Sequence, residues 1–146
     1  MNMKDERQFV GYSKYRSRLV DGHVHTELCP HGSGDRTAMM IEKAIELRIE
    51  KVCLTEHAPL PTAFAAEYGG DKKAYDTASL KLNEVDTYLE LGRQLQRAYG
   101  THIDISLGFE VDYIPGFESD IQEFLDRYGP LTDDNILSVH FMEGVN

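Results

Sequence analysis

The chain has 146 residues, with 15 Lys and Arg against 25 Asp and Glu, six His, two Cys and no Trp. One compact core is expected at this length, and a complete eight-unit β/α barrel is excluded, because that fold takes about 250 residues and rarely fewer than about 200. The formal net charge of −10 argues against nucleic-acid backbones and anionic membrane surfaces as partners, since both would repel it.

The first segment, MNMKDERQFVGYSKYRSRLV, lacks the apolar core of a signal peptide, and the chain holds no run of about 18 apolar residues. A soluble cytoplasmic protein is the expectation. Cys29 and Cys53 stand 24 apart without Cys-x-x-Cys spacing, which indicates free thiols. Residues 1–18 are polar, mixed in charge and aperiodic, and are expected to be an extension ahead of a domain over 19–146. From Arg18 the pattern becomes regular. Leu19-Val20 lead into Asp21-Gly22-His23-Val24-His25, a short strand with polar residues at its end, followed by a loop from Thr26 to Asp35. Ala38, Ile41, Ala44, Ile45 and Leu47 then recur at helical spacing across Arg36 to Arg48.

The unit repeats. Lys51-Val52-Cys53-Leu54-Thr55 is β-prone and closes on Glu56-His57. A long excursion from Ala58 to Tyr75, with Phe64 and Tyr68 in it, is a candidate substrate cover. The second helix is predicted over Ser79 to Tyr99, with Leu82, Val85, Leu89 and Leu95 on its core face and Gly100 as C-cap. Ile103 to Phe109 is the third strand and ends on Glu110. Ser119 stands three residues before Gln122, a capping-box spacing, and Ile121, Phe124, Leu125 and Tyr128 form the apolar face of a third helix. Asn135 to Val139 is the last strand and ends on His140, six residues before the end of the sequence. Strands alternating with helices imply parallel β-α units, about four of them.

The metal-capable residues fall in one place. His23 and His25, His57, Glu110 and His140 each end a predicted strand, and His31 lies in the loop after the first. In β/α folds that edge is where sites assemble, because its loops vary while the strands hold position. Side chains at i and i+2 of a strand share a face, so His23 and His25 can serve one ion. Five of the six histidines thus share one sheet edge with a carboxylate, and only His102 lies outside. Imidazole with carboxylate suits zinc, manganese or iron, and two or three such ions can share a bridging carboxylate.

Four segments carry a resemblance: Asp21 to Asp35 (DGHVHTELCPHGSGD), Thr55 to Pro61 (TEHAPLP), Gly108 to Tyr113 (GFEVDY) and Ile136 to Phe141 (ILSVHF). They resemble the polymerase and histidinol phosphatase (PHP) superfamily, and the CPHG and EHAPLP signatures resemble its histidinol-phosphatase branch. The resemblance implies the N-terminal portion of a distorted seven-unit TIM-like barrel, with a site of two to three divalent ions that hydrolyses L-histidinol phosphate in histidine biosynthesis. It implies that His23 and His25 hold the first ion, that His31 and His57 hold the second, and that Glu110 bridges the first and third with His140 on the third. The family adds a further His and an Asp-x-His pair from later strands, and this sequence has neither.

The implied chemistry is phosphomonoester hydrolysis by a metal-bound hydroxide, with no further catalytic side chain. Coordination lowers the pKa of water from about 15.7 toward about 7. Cations in the pocket would also reconcile an acidic chain with a phosphorylated substrate. Asp21 and Glu56 are candidates for orienting the histidines, and Cys29 is expected to pack in its loop. The other reading is a truncated, non-catalytic half-barrel that binds metal incompletely or forms a homo-oligomer through open sheet edges.

Overall fold

The computed structural model describes residues 19–64 and 72–141. The extension expected over residues 1–18 and Tyr68 of the excursion lie outside the described residues. Four strands, β1 (Val20–Val24), β2 (Lys51–His57), β3 (Asp104–Asp112) and β4 (Ile136–Ser138), form one sheet in the order β1-β2-β3-β4, with every neighbouring pair parallel. The helices among the described residues are α1 (Thr37–Glu46), α2 (Lys72–Asp76), α3 (Val85–Tyr99) and α4 (Glu118–Tyr128). Sequential parallel strands joined by helices are the expected portion of a β/α barrel.

The strand sequences explain the layering. On β3, Ile105, Leu107, Phe109 and Val111 alternate with Ser106, Gly108 and Glu110, so one face is apolar and the other small or polar. The apolar set joins Val52 and Leu54 of β2, Ile41 and Ala44 of α1, and Val85, Tyr88, Leu89 and Leu95 of α3 in one buried cluster. Each fully buried Leu or Phe contributes roughly 1.5–3 kcal/mol relative to exposure. Close approach sharpens the packing at two glycines. A Cβ on Gly92 would clash with the Leu107 side chain, and one on Gly108 with the Asp134 carbonyl oxygen.

Several boundaries differ from expectation. The first helix is shorter and ends at Glu46 with Leu47 as its C-cap, and Arg48 turns the chain with a φ of 59°. The helix expected from Ser79 begins only at Val85, after a 3-10 turn over Leu82–Glu84. Leu82 sits in that turn, where tighter winding breaks the 3.6-residue stripe, and it is 55% exposed rather than core. The capping box at Ser119 does not form. Phe117 is the N-cap of α4 and makes no side-chain cap bond, while the Glu118 carboxylate accepts from Gly116 N. Gly100 does cap α3, in a right-handed conformation. Within the excursion, Phe64 is buried against Ile114 and Phe117 in a second small cluster, a packing role. No helix among the described residues is long and apolar enough to cross a membrane.

One side chain stitches the sheet to the helix layer. The Tyr88 hydroxyl, fully buried, lies 2.6 Å from Gly108 O and 3.0 Å from Leu54 O as donor, and accepts from Glu56 N at 3.3 Å. Burial pushes its pKa up, so the hydroxyl keeps its proton. Tyr88→Phe should therefore destabilise the chain by about 1–3 kcal/mol in urea unfolding. Tyr99→Phe, which loses a solvent-exposed bond to Glu42, should stay within about 0.5 kcal/mol. Equal losses would contradict the bridging role.

Candidate metal centre

The parallel register delivers the site. His57, the last residue of β2, pairs with Glu110 on β3, and the final residues of β3, Glu110 to Asp112, pair with Ile136 to Ser138 of β4, which brings His140 to the same edge. β1 brings His23, and His25 follows one residue past its end. The β1–β2 ladder slips between Asp21 and Val24, around Gly22, and so the His-x-His pair straddles an irregular strand end.

Glu110 is the hub. One carboxylate oxygen lies 2.9 Å from His23 Nε2, 3.2 Å from His57 Nδ1 and 3.4 Å from His25 Nε2, and the other lies 3.5 Å from His140 Nε2. The His23 and His25 Nε2 atoms are themselves 3.1 Å apart. Glu110 is 3% exposed. The rings of His25 and His57 stack with centroids 4.4 Å apart, His31 lies 5.0 Å from His57, and His140 lies 5.4 Å from it. All six residues expected as ligands are therefore brought together. Asp21 is exposed and its carboxylate meets none of these histidines.

The outer nitrogens of three rings are held from behind. His25 Nδ1 is 3.0 Å from Glu56 Oε1, His31 Nδ1 is 2.8 Å from Thr77 O, and His140 Nδ1 is 2.7 Å from Asp112 Oδ1. A carbonyl or carboxylate oxygen only accepts, so Nδ1 carries the proton and Nε2 keeps its lone pair in each neutral ring. Glu56 is fully buried and also accepts from Thr26 N at 2.8 Å and Thr26 Oγ1 at 2.7 Å. Burial alone would raise its pKa, but the bonds from His25 and Thr26 outweigh that and hold it below the usual carboxylate range. The same hydrogen bond to Glu56 raises the pKa of His25 against the pull of burial.

His57 goes the other way. Burial lowers its pKa, with His25 and His31 adding to the effect and Glu110 opposing it, which favours the neutral ring. Its Nδ1 is buried and, although 3.2 Å from Glu110, has no hydrogen-bond partner. An orphaned buried nitrogen facing a carboxylate among imidazoles is a donor set that a divalent cation would satisfy. Ligand atoms of His23, His25 and Glu110 fall within 4.8 Å of one another, as do those of His57, Asp112 and His140.

Cys29 Sγ also falls within that distance of His25 and Glu56. Burial pushes its thiol pKa up, as it does for Cys53, which leaves both in the protonated form that binds metal poorly. Both cysteines are free and buried, as expected. The loop that carries His31 is anchored by a reciprocal pair, with Glu27 N donating to Thr37 Oγ1 and Thr37 N donating to the Glu27 carboxylate. Sequence reasoning missed Asp112, Thr26 and the Thr77 carbonyl. Only Asp112 had a signal, since it lies two residues after Glu110 on the same strand face.

Parallel β-α units with an imidazole-carboxylate cluster at the strand ends define a metal-binding β/α class, and the family comparison agrees. The family model described as the PHP domain matches residues 21–145, and the chain belongs to that family. It is 41% identical over 122 residues to the histidinol-phosphatase of Bacillus subtilis, covering 84% of this chain and 44% of that protein. Among solved structures, a Listeria monocytogenes protein assigned as a histidinol phosphatase superimposes with a TM-score of 0.84 at 44% identity, covering 86% of this chain and 46% of that one. The Lactococcus lactis histidinol phosphate phosphatase, solved with zinc, L-histidinol and phosphate, shares the fold with a TM-score of 0.67 at 24% identity, over 86% and 41% of the two chains. The chain thus spans less than half the length of these relatives.

Removing the Glu56 carboxylate strands the His25 ring and both Thr26 donors. Glu56→Ala should lower unfolding stability by roughly 1.5–3 kcal/mol. Thermal or urea melts that match the parent would contradict this account of the carboxylate.

Proposed function

We propose that the chain carries the early-strand part of a metal-dependent phosphomonoester hydrolase that converts L-histidinol phosphate and water to L-histidinol and phosphate, a step of histidine biosynthesis in the cytoplasm. The observation that carries this reading is the Glu110 carboxylate buried among His23, His25, His57 and His140. Similarity to the Bacillus and Listeria proteins supports the phosphatase assignment, and the zinc, L-histidinol and phosphate of the Lactococcus structure support the metal and the substrate.

In this reading His23 and His25 would hold one ion, His31 and His57 a second, and His140 a third, with the Glu110 carboxylate available to the first and third. Zinc, manganese and iron all suit imidazole and carboxylate donors. Bound divalent ions supply Lewis acidity toward phosphoryl oxygens and lower the pKa of water toward about 7. The chain's own residues do the rest. Glu56, Thr77 and Asp112 fix which nitrogen each ring offers. The fully buried Glu56 and nearly buried His57 keep bulk water from the back of the cluster, where electrostatic interactions strengthen. With ten more acidic than basic side chains, the chain offers a phosphate dianion little attraction apart from such cations.

Metal analysis of the purified chain should find at least one zinc, manganese or iron per molecule, and Glu110→Ala should lose most of it. Phosphate release from histidinol phosphate should rise with added manganese or zinc once the chain is completed by the remaining part of the Bacillus relative. A metal-free chain together with an inactive completed protein would overturn the reading.

The exposed β4 edge favours a second reading for the chain alone. Leu137 on β4 is 72% exposed and Val139, one residue beyond it, 52%, and β4 pairs on one side only among the described residues. Such an edge invites a second copy. Light scattering should give a mass above 16.6 kDa that grows with concentration, and a monodisperse monomer would contradict self-association.

A further inference from the structure

We infer that Asp112 is a positioning residue that sets the tautomer and the aim of His140, resting on the metal-site reading above. His140 is weakly supported by its own strand. It lies two residues beyond a strand of only three residues, and its side chain is 49% exposed. A half-exposed imidazole there has rotamer freedom to lose, and nothing from β4 itself directs it toward Glu110. Asp112, at the end of β3 and 6% exposed, supplies the direction.

One oxygen of Asp112 gathers the whole end of β4. Oδ1 accepts from His140 Nδ1 at 2.7 Å, from Ser138 Oγ at 3.0 Å and from His140 N at 3.2 Å. The backbone bond from Tyr113 N to Ser138 O, 2.8 Å, closes the same junction from the other side. Side chain and backbone of His140 are therefore tied to a single atom. Because an ionised carboxylate only accepts, Nδ1 bears the proton, and Nε2 faces Glu110 Oε1 at 3.5 Å with its lone pair free. Glu56 acts the same way on His25 from the opposite flank of the cluster. Three donors on Oδ1 also account for the proximity of Asp112 to His57 and His140 without making it a ligand. Carboxylates behind ligating imidazoles are typically worth about 10- to 100-fold in metal affinity.

The test reads the tautomer directly. Long-range nitrogen-proton NMR on the full chain, stripped of metal by chelator at a pH where the ring is neutral, assigns His140 by its absence from His140→Ala. The parent should show the proton on Nδ1. Asp112→Asn, whose side-chain carbonyl still accepts, should keep it there, and Asp112→Ala should move it to Nε2. A parent ring protonated on Nε2, or a ring unchanged in a folded Asp112→Ala, overturns the inference. The parent spectrum decides alone if the alanine variant does not fold.

Zinc titration adds the second readout. Asp112→Ala should weaken binding about 10- to 100-fold, with Asp112→Asn rescuing most of the loss. A parent that takes up no zinc while its tautomer follows Asp112 contradicts the metal-site reading and leaves the positioning role standing. A parent that binds zinc with a tautomer indifferent to Asp112 does the reverse.

Discussion

A buried carboxylate facing four imidazoles is the constraint around which the rest of this structure is arranged. Glu110 is almost wholly out of water, and removing an ionised carboxylate from water costs several kcal/mol unless charge and hydrogen bonds compensate. His23 gives one short bond at 2.9 Å, and the other three rings approach at 3.2–3.5 Å. That compensation is partial, as the orphaned Nδ1 of His57 shows. A cluster of this kind is satisfied by cations, and its unmet demand in the protein alone ties the fold to metal chemistry.

The elements behind the cluster are there to hold it. Parallel register puts His57 opposite Glu110, and the Tyr88 hydroxyl joins the β2 and β3 backbones within two residues of both. Glu56 and Asp112, one on each flank, fix the proton positions of His25 and His140. Neighbouring rings are pushed in opposite directions, His25 toward the charged form by Glu56 and His57 toward the neutral form by burial. Opposed preferences in a stacked pair 4.4 Å apart disfavour charging both rings at once. That limits repulsion inside the cluster before any ion arrives.

Much of this was legible in the residues. Helical and strand periodicities were enough for the four-unit order, and the placement of His23, His25, His57, Glu110 and His140 was enough to group those side chains at one sheet edge. What the sequence hid depends on tertiary contact. Leu82 reads as core by spacing, yet a 3-10 turn rotates it outward. Ser119 reads as a cap, yet Glu118 takes the free backbone donor of Gly116 instead. Asp21 and Glu56 look equivalent as strand-end acids, and only the packing of Thr26 and His25 on Glu56 separates them. Asp112 shares a face with Glu110 by strand alternation, but its hold on His140 requires β4 to lie alongside, which no local pattern announces.

The most direct measurement is the location of bound ions. Crystals of the chain soaked in zinc, with anomalous difference maps collected at the zinc edge, show where the metal sits independently of any activity. The account predicts density touching Glu110, shared with His23 and His25 on one side and approached by His140 on the other. Zinc seated on Cys29 and Glu56 with Glu110 left without a metal contact would contradict it.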